Sequence, residues 1–130
     1  MTIVSLPGRQ LPHSESCEVI YRHGHRVVCV RGEHDASTAS ALSSELMAVM
    51  RLDERDVVVD LHRVAFMDAS TIGALMSARA FLAARGRALR LEAPSNAARR
   101  VLQLCGIAYD AVPAHPAAPA LRLLSEDDSV

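Results

Sequence analysis

Tryptophan is absent from this 130-residue chain, and only two Phe and two Tyr are present. Its core must therefore be built from Val, Leu, Ile, Met and Ala side chains. An excess of positive charge is also missing, because fourteen basic residues nearly cancel fifteen acidic ones and leave a formal net charge of −1. Nucleic-acid binding needs a strong positive field over one face, so DNA and RNA are not expected partners. Cysteine is scarce, and Cys17, Cys29 and Cys105 form an odd, widely spaced set without a C-x-x-C pair. That pattern fits free thiols in a reducing compartment better than a disulfide framework. No segment approaches the roughly 18 continuous apolar residues that span a bilayer, and the first residues lack the basic-then-apolar order of a secretory leader. A cytoplasmic location without membrane insertion is the expectation. No internal repeat is visible.

Half of the residues are apolar and 22% are charged, the balance of a soluble globular fold. The length suits one compact domain and is too short for two. Residues 1–16, with Pro7, Gly8 and Pro12, show no periodicity and read as a flexible lead-in. Beyond residue 112 the chain turns Pro- and Ala-rich and closes on Glu126, Asp127 and Asp128. The expected organisation is a domain over 17–112 between a flexible segment, 1–16, and a tail, 113–130.

Within that domain, β-branched and apolar residues at 17–21 and 27–30 flank the turn-like His23, Gly24 and His25 and predict a hairpin. Asp35, Ser37 and Thr38 then offer N-cap oxygens, and Ala39, Leu42, Leu46 and Val49 recur at helical spacing. Val57, Val58 and Val59 run into Asp60 and Leu61, as in a parallel strand covered on both faces. A second helix is predicted over 70–84, with Gly86 at the left-handed position beyond its last turn. A short strand over 89–92 follows, and Pro94, Ser95 and Asn96 introduce a third helix carrying Ala98, Val101, Leu102 and Cys105 before Gly106. Strands alternating with helices imply an α/β domain with a mostly parallel sheet and right-handed crossovers, preceded by the antiparallel hairpin.

The turn at Asp68, Ala69, Ser70 and Thr71 places two hydroxyls at a helix N-terminus. Unpaired backbone N–H groups and the helix dipole favour an added phosphate there, by about 0.3 to 1 kcal/mol for an exposed charge. Phosphate brings nearly two negative charges, so a partner packed against the unmodified turn would meet desolvation and repulsion after modification. On local pattern alone, a plain helix cap is the more ordinary explanation.

Three motifs stand out over about 17–109: Gly32, Glu33, His34 and Asp35, followed by small residues at 36–41; the run VVVDLHRVAFMDASTIG over 57–73; and Val101, Leu102, Cys105, Gly106 and Ile107. Together they resemble the STAS family of anti-sigma factor antagonists, in turn its Gly-x-x-Asp strand end, its strand leading into a DSSGLG-like turn, and the close of its last helix. The resemblance implies a STAS-like fold, a mixed, mostly parallel sheet of four to five strands with three to four helices. It implies that Ser70 is the phosphoacceptor, with Thr71 the alternative, and that Asp35, Asp68, Ala69, Thr71 and Ile72 form its surroundings and a partner surface. Two departures stand out: Ala69 replaces the first Ser of the family turn, and Thr71 replaces its Gly.

The implied partners are an anti-sigma factor of the serine-kinase type, with a histidine-kinase-like ATPase fold, and a phosphatase that acts on the modified form. Neither catalysis by the chain itself nor a cofactor is implied. The alternative is a STAS scaffold or subunit in a stress-signalling complex or a lipid-transport ATPase assembly. The helix over 70–84 is apolar around most of its circumference, so it could pack on the sheet and still face a partner, or be wholly buried.

Three other readings fit less well. A receiver domain needs an acidic pair after its first strand, where His23, Gly24 and His25 stand. A serine hydrolase needs glycines two before and two after Ser70, where Asp68 and Ile72 stand. The pairing of His23 with His25, and of His34 with Asp35 and Asp60, lacks metal-ligand spacing.

Overall fold

His23 and Gly24 both have positive φ, +52° and +82°, the requirement of a two-residue type I′ turn, whose twist matches that of the strands it joins. Around that turn, β1 (Cys17–Arg22) pairs antiparallel with β2 (His25–His34), with Arg22 opposite His25. The computed structural model describes residues 17–111. The segment expected to be flexible, 1–16, and the tail, 113–130, lie outside the described residues.

The chain continues through α1 (Ala36–Met50), β3 (Val57–Met67), α2 (Ala69–Ala83), β4 (Leu89–Glu92) and α3 (Asn96–Leu104). The sheet order is β1-β2-β3-β4, with β2, β3 and β4 mutually parallel. The expected α/β architecture is present, with four strands and three helices among the described residues. Its edge extends slightly, because the Ala93 N–H donates to the Asp110 carbonyl (2.7 Å) and the Asp110 N–H to the Leu91 carbonyl (2.9 Å). The chain thus starts a fifth strand position with a single bridge, Glu92 to Asp110.

Alternation builds the core. Val28 and Val30 of β2, Val57, Val59 and Leu61 of β3, and Leu89 and Leu91 of β4 share one cluster with Leu42, Leu46 and Val49 of α1 and Leu75 and Leu82 of α2. Each such side chain contributes about 1.5–3 kcal/mol when taken fully from water. Val58, of opposite parity, is buried as well, in keeping with a strand covered on both faces. In α3, Ala98 and Leu102 join the same core, and the Ser95 N–H at its start donates to the Leu61 carbonyl (3.1 Å). Gly86 adopts φ +72°, and Arg87 N–H donates back to Leu82 O (2.9 Å), which closes α2 with the expected left-handed residue.

The strand predicted over 57–61 is longer than expected. Register shifts between Cys29 and Arg31 and between Gly32 and Glu33 each give β3 one more residue than β2. These bulges change the spacing of buried positions from two to three, so that Leu61, Val64 and Met67 point inward while His62, Arg63, Ala65 and Phe66 are exposed. Opposite them, Gly32 takes φ +85°, which an L side chain rarely adopts. The Gly-x-x-Asp sequence is therefore a conformational device that turns the end of β2 toward the N-cap of α1. Among the described residues, Cys17, Cys29 and Cys105 form no disulfide. No helix among the described residues is long and apolar enough to cross a membrane.

Candidate functional site

β2 and β3 end together: His34 and Met67 are register partners on adjacent parallel strands, which lie about 4.8 Å apart. Each strand is followed at once by an aspartate in extended conformation, Asp35 at φ −141° and Asp68 at φ −122°, and each aspartate caps a helix. Two helix N-termini are thereby set side by side at the same end of the sheet.

At α2, Asp68 Oδ1 accepts from the Ser70 N–H (3.0 Å), the Ser70 hydroxyl (2.6 Å) and, more weakly, the Thr71 N–H (3.4 Å). At α1, Asp35 Oδ1 accepts from the Ser37 N–H (2.9 Å) and the Ser37 hydroxyl (2.6 Å). Thr38 Oγ1 accepts from the Asp35 N–H (3.0 Å) and completes a reciprocal capping box. The Ser70 hydroxyl, followed by backbone donors, holds the Asp68 carboxyl below the usual carboxylate range, while the nearby negative charge of Asp35 pulls it the other way. The Ser37 hydroxyl and N–H likewise lower Asp35. Both carboxylates are thus charged near neutral pH and hold their serines in place.

Ser70 is half-buried, with Ala69 exposed beside it. The two remaining residues of the expected surroundings lie elsewhere. Thr71 is 1% exposed and its Oγ1 has no hydrogen-bond partner, and Ile72 is 6% exposed and belongs to the core. The Thr71 hydroxyl is thus far less accessible than Ser70, since a kinase would have to move α2 to reach it. Ile72, expected in the partner surface, packs in the core and supports the turn from below. The replacement of glycine by Thr71 leaves no backbone strain, because positive φ among the described non-glycine residues is confined to His23 and Ala93.

α2 is covered on one side only. Ile72, Leu75, Ala78 and Leu82 face the core, while Ala69, Gly73, Ser77 and Ala80 line an exposed strip that begins beside Ser70. Sequence reasoning left open whether this helix was buried all round; the strip shows that it is not. It also missed Phe66, which is 49% exposed two residues before Asp68. An aromatic next to the capping acid, in a chain with two Phe, was an available signal. Its outward direction follows from the bulges of β3, which pattern reading does not reveal. The strip begins beside a serine hydroxyl held on a carboxylate, and an exposed aromatic ring stands four residues before that serine.

A family model described as Mlab, STAS domain, matches residues 21–113. Among solved structures, the chain is similar to an anti-sigma factor antagonist from Mycobacterium paratuberculosis, at 30% identity over 69% of this chain and 76% of that one, with a TM-score of 0.62. It is also similar to the anti-sigma factor antagonist SpoIIAA in its unphosphorylated form (21% identity, 70% and 81% covered, TM-score 0.58). The Bacillus cell fate determinant SpoIIAA in the phosphorylated form gives 22% identity, 70% and 84% coverage and a TM-score of 0.55. No curated protein matches the chain significantly.

Proposed function

The chain belongs to the STAS domain family, and on that premise we propose that it is an anti-sigma factor antagonist that binds a serine-kinase anti-sigma factor while Ser70 is unmodified. Binding frees the sigma factor. Phosphorylation of Ser70 by the same partner ends the complex, and a phosphatase restores it. The chain contributes a surface and an acceptor and carries out no catalysis of its own.

The observation that carries this reading is the state of the Ser70 hydroxyl. It belongs to a half-buried residue, it sits at the N-terminus of a fifteen-residue helix, and it is held on Asp68 at 2.6 Å. The neighbouring hydroxyl, on Thr71, is buried. Replacing the Ser70 proton with a phosphoryl group removes the hydrogen bond that Asp68 accepts. It also sets about 1.5 to 2 negative charges beside two carboxylates. The exposed strip of α2 begins beside that oxygen, so a partner packed over the strip meets the new charge directly. The relative from Mycobacterium paratuberculosis, itself an anti-sigma factor antagonist, supports the same role.

Intact-mass analysis after incubation with ATP and each serine-kinase anti-sigma factor of the same cell tests the proposal, using wild type, Ser70→Ala and Thr71→Val. One added phosphate, present in wild type and Thr71→Val and lost in Ser70→Ala, is expected. If no such kinase modifies or binds the wild type, the sigma-antagonist reading fails, and a scaffold or transport-assembly subunit becomes the better account.

A further inference from the structure

At the end of the sheet far from Ser70, where β3 and β4 begin, a groove runs between the close of α1, the loop into β3, the close of α2 and the loop into β4. Met50, at the end of α1, is buried, and Leu52 and Phe81 pack against the core, so the floor of the groove is apolar. Its rim is charged: Arg51 and Arg85 are exposed and Arg87 is half-buried, with Asp53 and Glu54 beside them.

The charge on that rim is unbalanced. Asp53 is already matched, by Arg26 (2.9 Å) and Arg55 (3.3 Å). Arg85 lies over the Phe81 ring (3.6 Å to the centroid) and donates to the Phe81 carbonyl (2.9 Å). Arg87 donates twice to the Arg55 carbonyl (3.1 and 2.9 Å). These contacts fix two guanidinium groups without supplying a counter-charge, and no carboxylate among the described residues pairs with Arg51, Arg85 or Arg87. Three cations thus stand against one unmatched carboxylate, Glu54. Cations are favoured at the C-terminal ends of helices, which accounts for Arg51 and Arg85 but not for the apolar floor between them.

We propose that residues 121–128 of this same chain seat in the groove, with Leu121, Leu123 and Leu124 on the floor and Glu126, Asp127 and Asp128 against the three arginines. The order of the chemistry matches, because a leucine run followed at once by three acids meets an apolar floor bordered by guanidinium groups. The path is short enough. The described chain ends just beyond Asp110, which bridges Glu92 on the outer edge of β4. From Glu92 back to Arg87 is five residues, about 17 Å at the rise of a strand, while the ten residues from Ala111 to Leu121 reach up to roughly 33 Å. That reach also includes the Ser70 end of the sheet, but there the capping carboxylates of Asp35 and Asp68 repel an acidic run. The inference is independent of the proposed function: the groove and the Ser70 turn lie at opposite ends of β3, so a seated tail leaves the Ser70 surface open.

Nuclear magnetic resonance of the 15N-labelled full chain tests it, following backbone amides and arginine Nε–H groups. Wild type is compared with Glu126→Gln/Asp127→Asn/Asp128→Asn and with Leu121→Ser/Leu124→Ser, all outside the described fold. Signals from 50–54 and from Phe81, Arg85 and Arg87 are expected to shift in both variants relative to wild type. In about 1 M salt, where screening shortens to roughly 3 Å, the wild-type signals should move toward those of the neutralised variant. Unchanged signals at these residues in either variant overturn the inference. So do shifts confined to 35–38 and 68–71, which seat the tail at the other end, and shifts that grow with protein concentration, which assign the groove to the tail of a second copy.

Discussion

Thr71→Val is expected to stabilise the protein. The Thr71 hydroxyl is buried without a hydrogen-bond partner, and leaving such a group unsatisfied costs about 1–3 kcal/mol. Valine has nearly the same shape and a similar helix propensity, and it puts a methyl group where the oxygen was. The interactions that start α2 survive, because position 71 takes part through its backbone N–H, toward Asp68 O at 3.1 Å and Asp68 Oδ1 at 3.4 Å. The predicted gain is therefore about 1–3 kcal/mol. With a urea slope of about 1–3 kcal/mol per M for a small domain, the unfolding midpoint should rise by roughly 1 M at unchanged slope. Thr71→Ser keeps the hydroxyl and gives up a buried methyl, so it should fall below wild type by about 0.8 kcal/mol. Equilibrium urea unfolding followed by circular dichroism reads the order Val above Thr above Ser. A valine variant no more stable than wild type would show that the hydroxyl is satisfied and would refute the desolvation argument.

Other perturbations separate stability from binding. Leu75→Ala, at a fully buried position where α2 meets the core, should cost about 2–5 kcal/mol in the same unfolding assay. Ser95→Ala removes the oxygen that accepts from the Ala98 N–H (3.1 Å) and should cost about 1 kcal/mol while leaving partner affinity unchanged. Phe66→Ala should do the reverse, changing stability by less than about 0.5 kcal/mol and weakening anti-sigma factor binding roughly tenfold by titration calorimetry. For pH, Asp35 and Asp68 have lowered folded-state values, so the folded form binds fewer protons than the unfolded one. Their contribution is present above the unfolded value of about 3.9 and is lost as pH falls through the lower folded values. Thermal melts from pH 7 to 2.5 should show that acid limb flattened in Asp35→Asn/Asp68→Asn, which keeps both caps and removes both titrations.

Much of this fold was legible because local signals agreed with it. The His23–Gly24 turn, the aspartate caps, Gly86 and the Ser95 start of α3 each state a backbone requirement within a few residues. The second half of β3 was not legible, since two bulges replace the strand period of two by three and leave His62, Arg63, Ala65 and Phe66 facing solvent. The site was legible in its chemistry and not in its access. Nothing local distinguishes Ser70 from Thr71; the docking of α2 on the sheet decides that one hydroxyl is reachable and the next is buried. The juxtaposition of 35–38 with 68–71 likewise exists only once β2 and β3 lie side by side, because the twenty-nine residues 39–67 separate the two turns in the chain.

The most direct test of the central claim is the affinity of the anti-sigma factor for the unmodified chain and for the chain phosphorylated at Ser70, measured by titration calorimetry at fixed ionic strength. The account predicts tight binding of the unmodified form and a loss of roughly 5- to 150-fold on phosphorylation, the usual range for coupling between two binding events. Equal affinity for the two forms would contradict it.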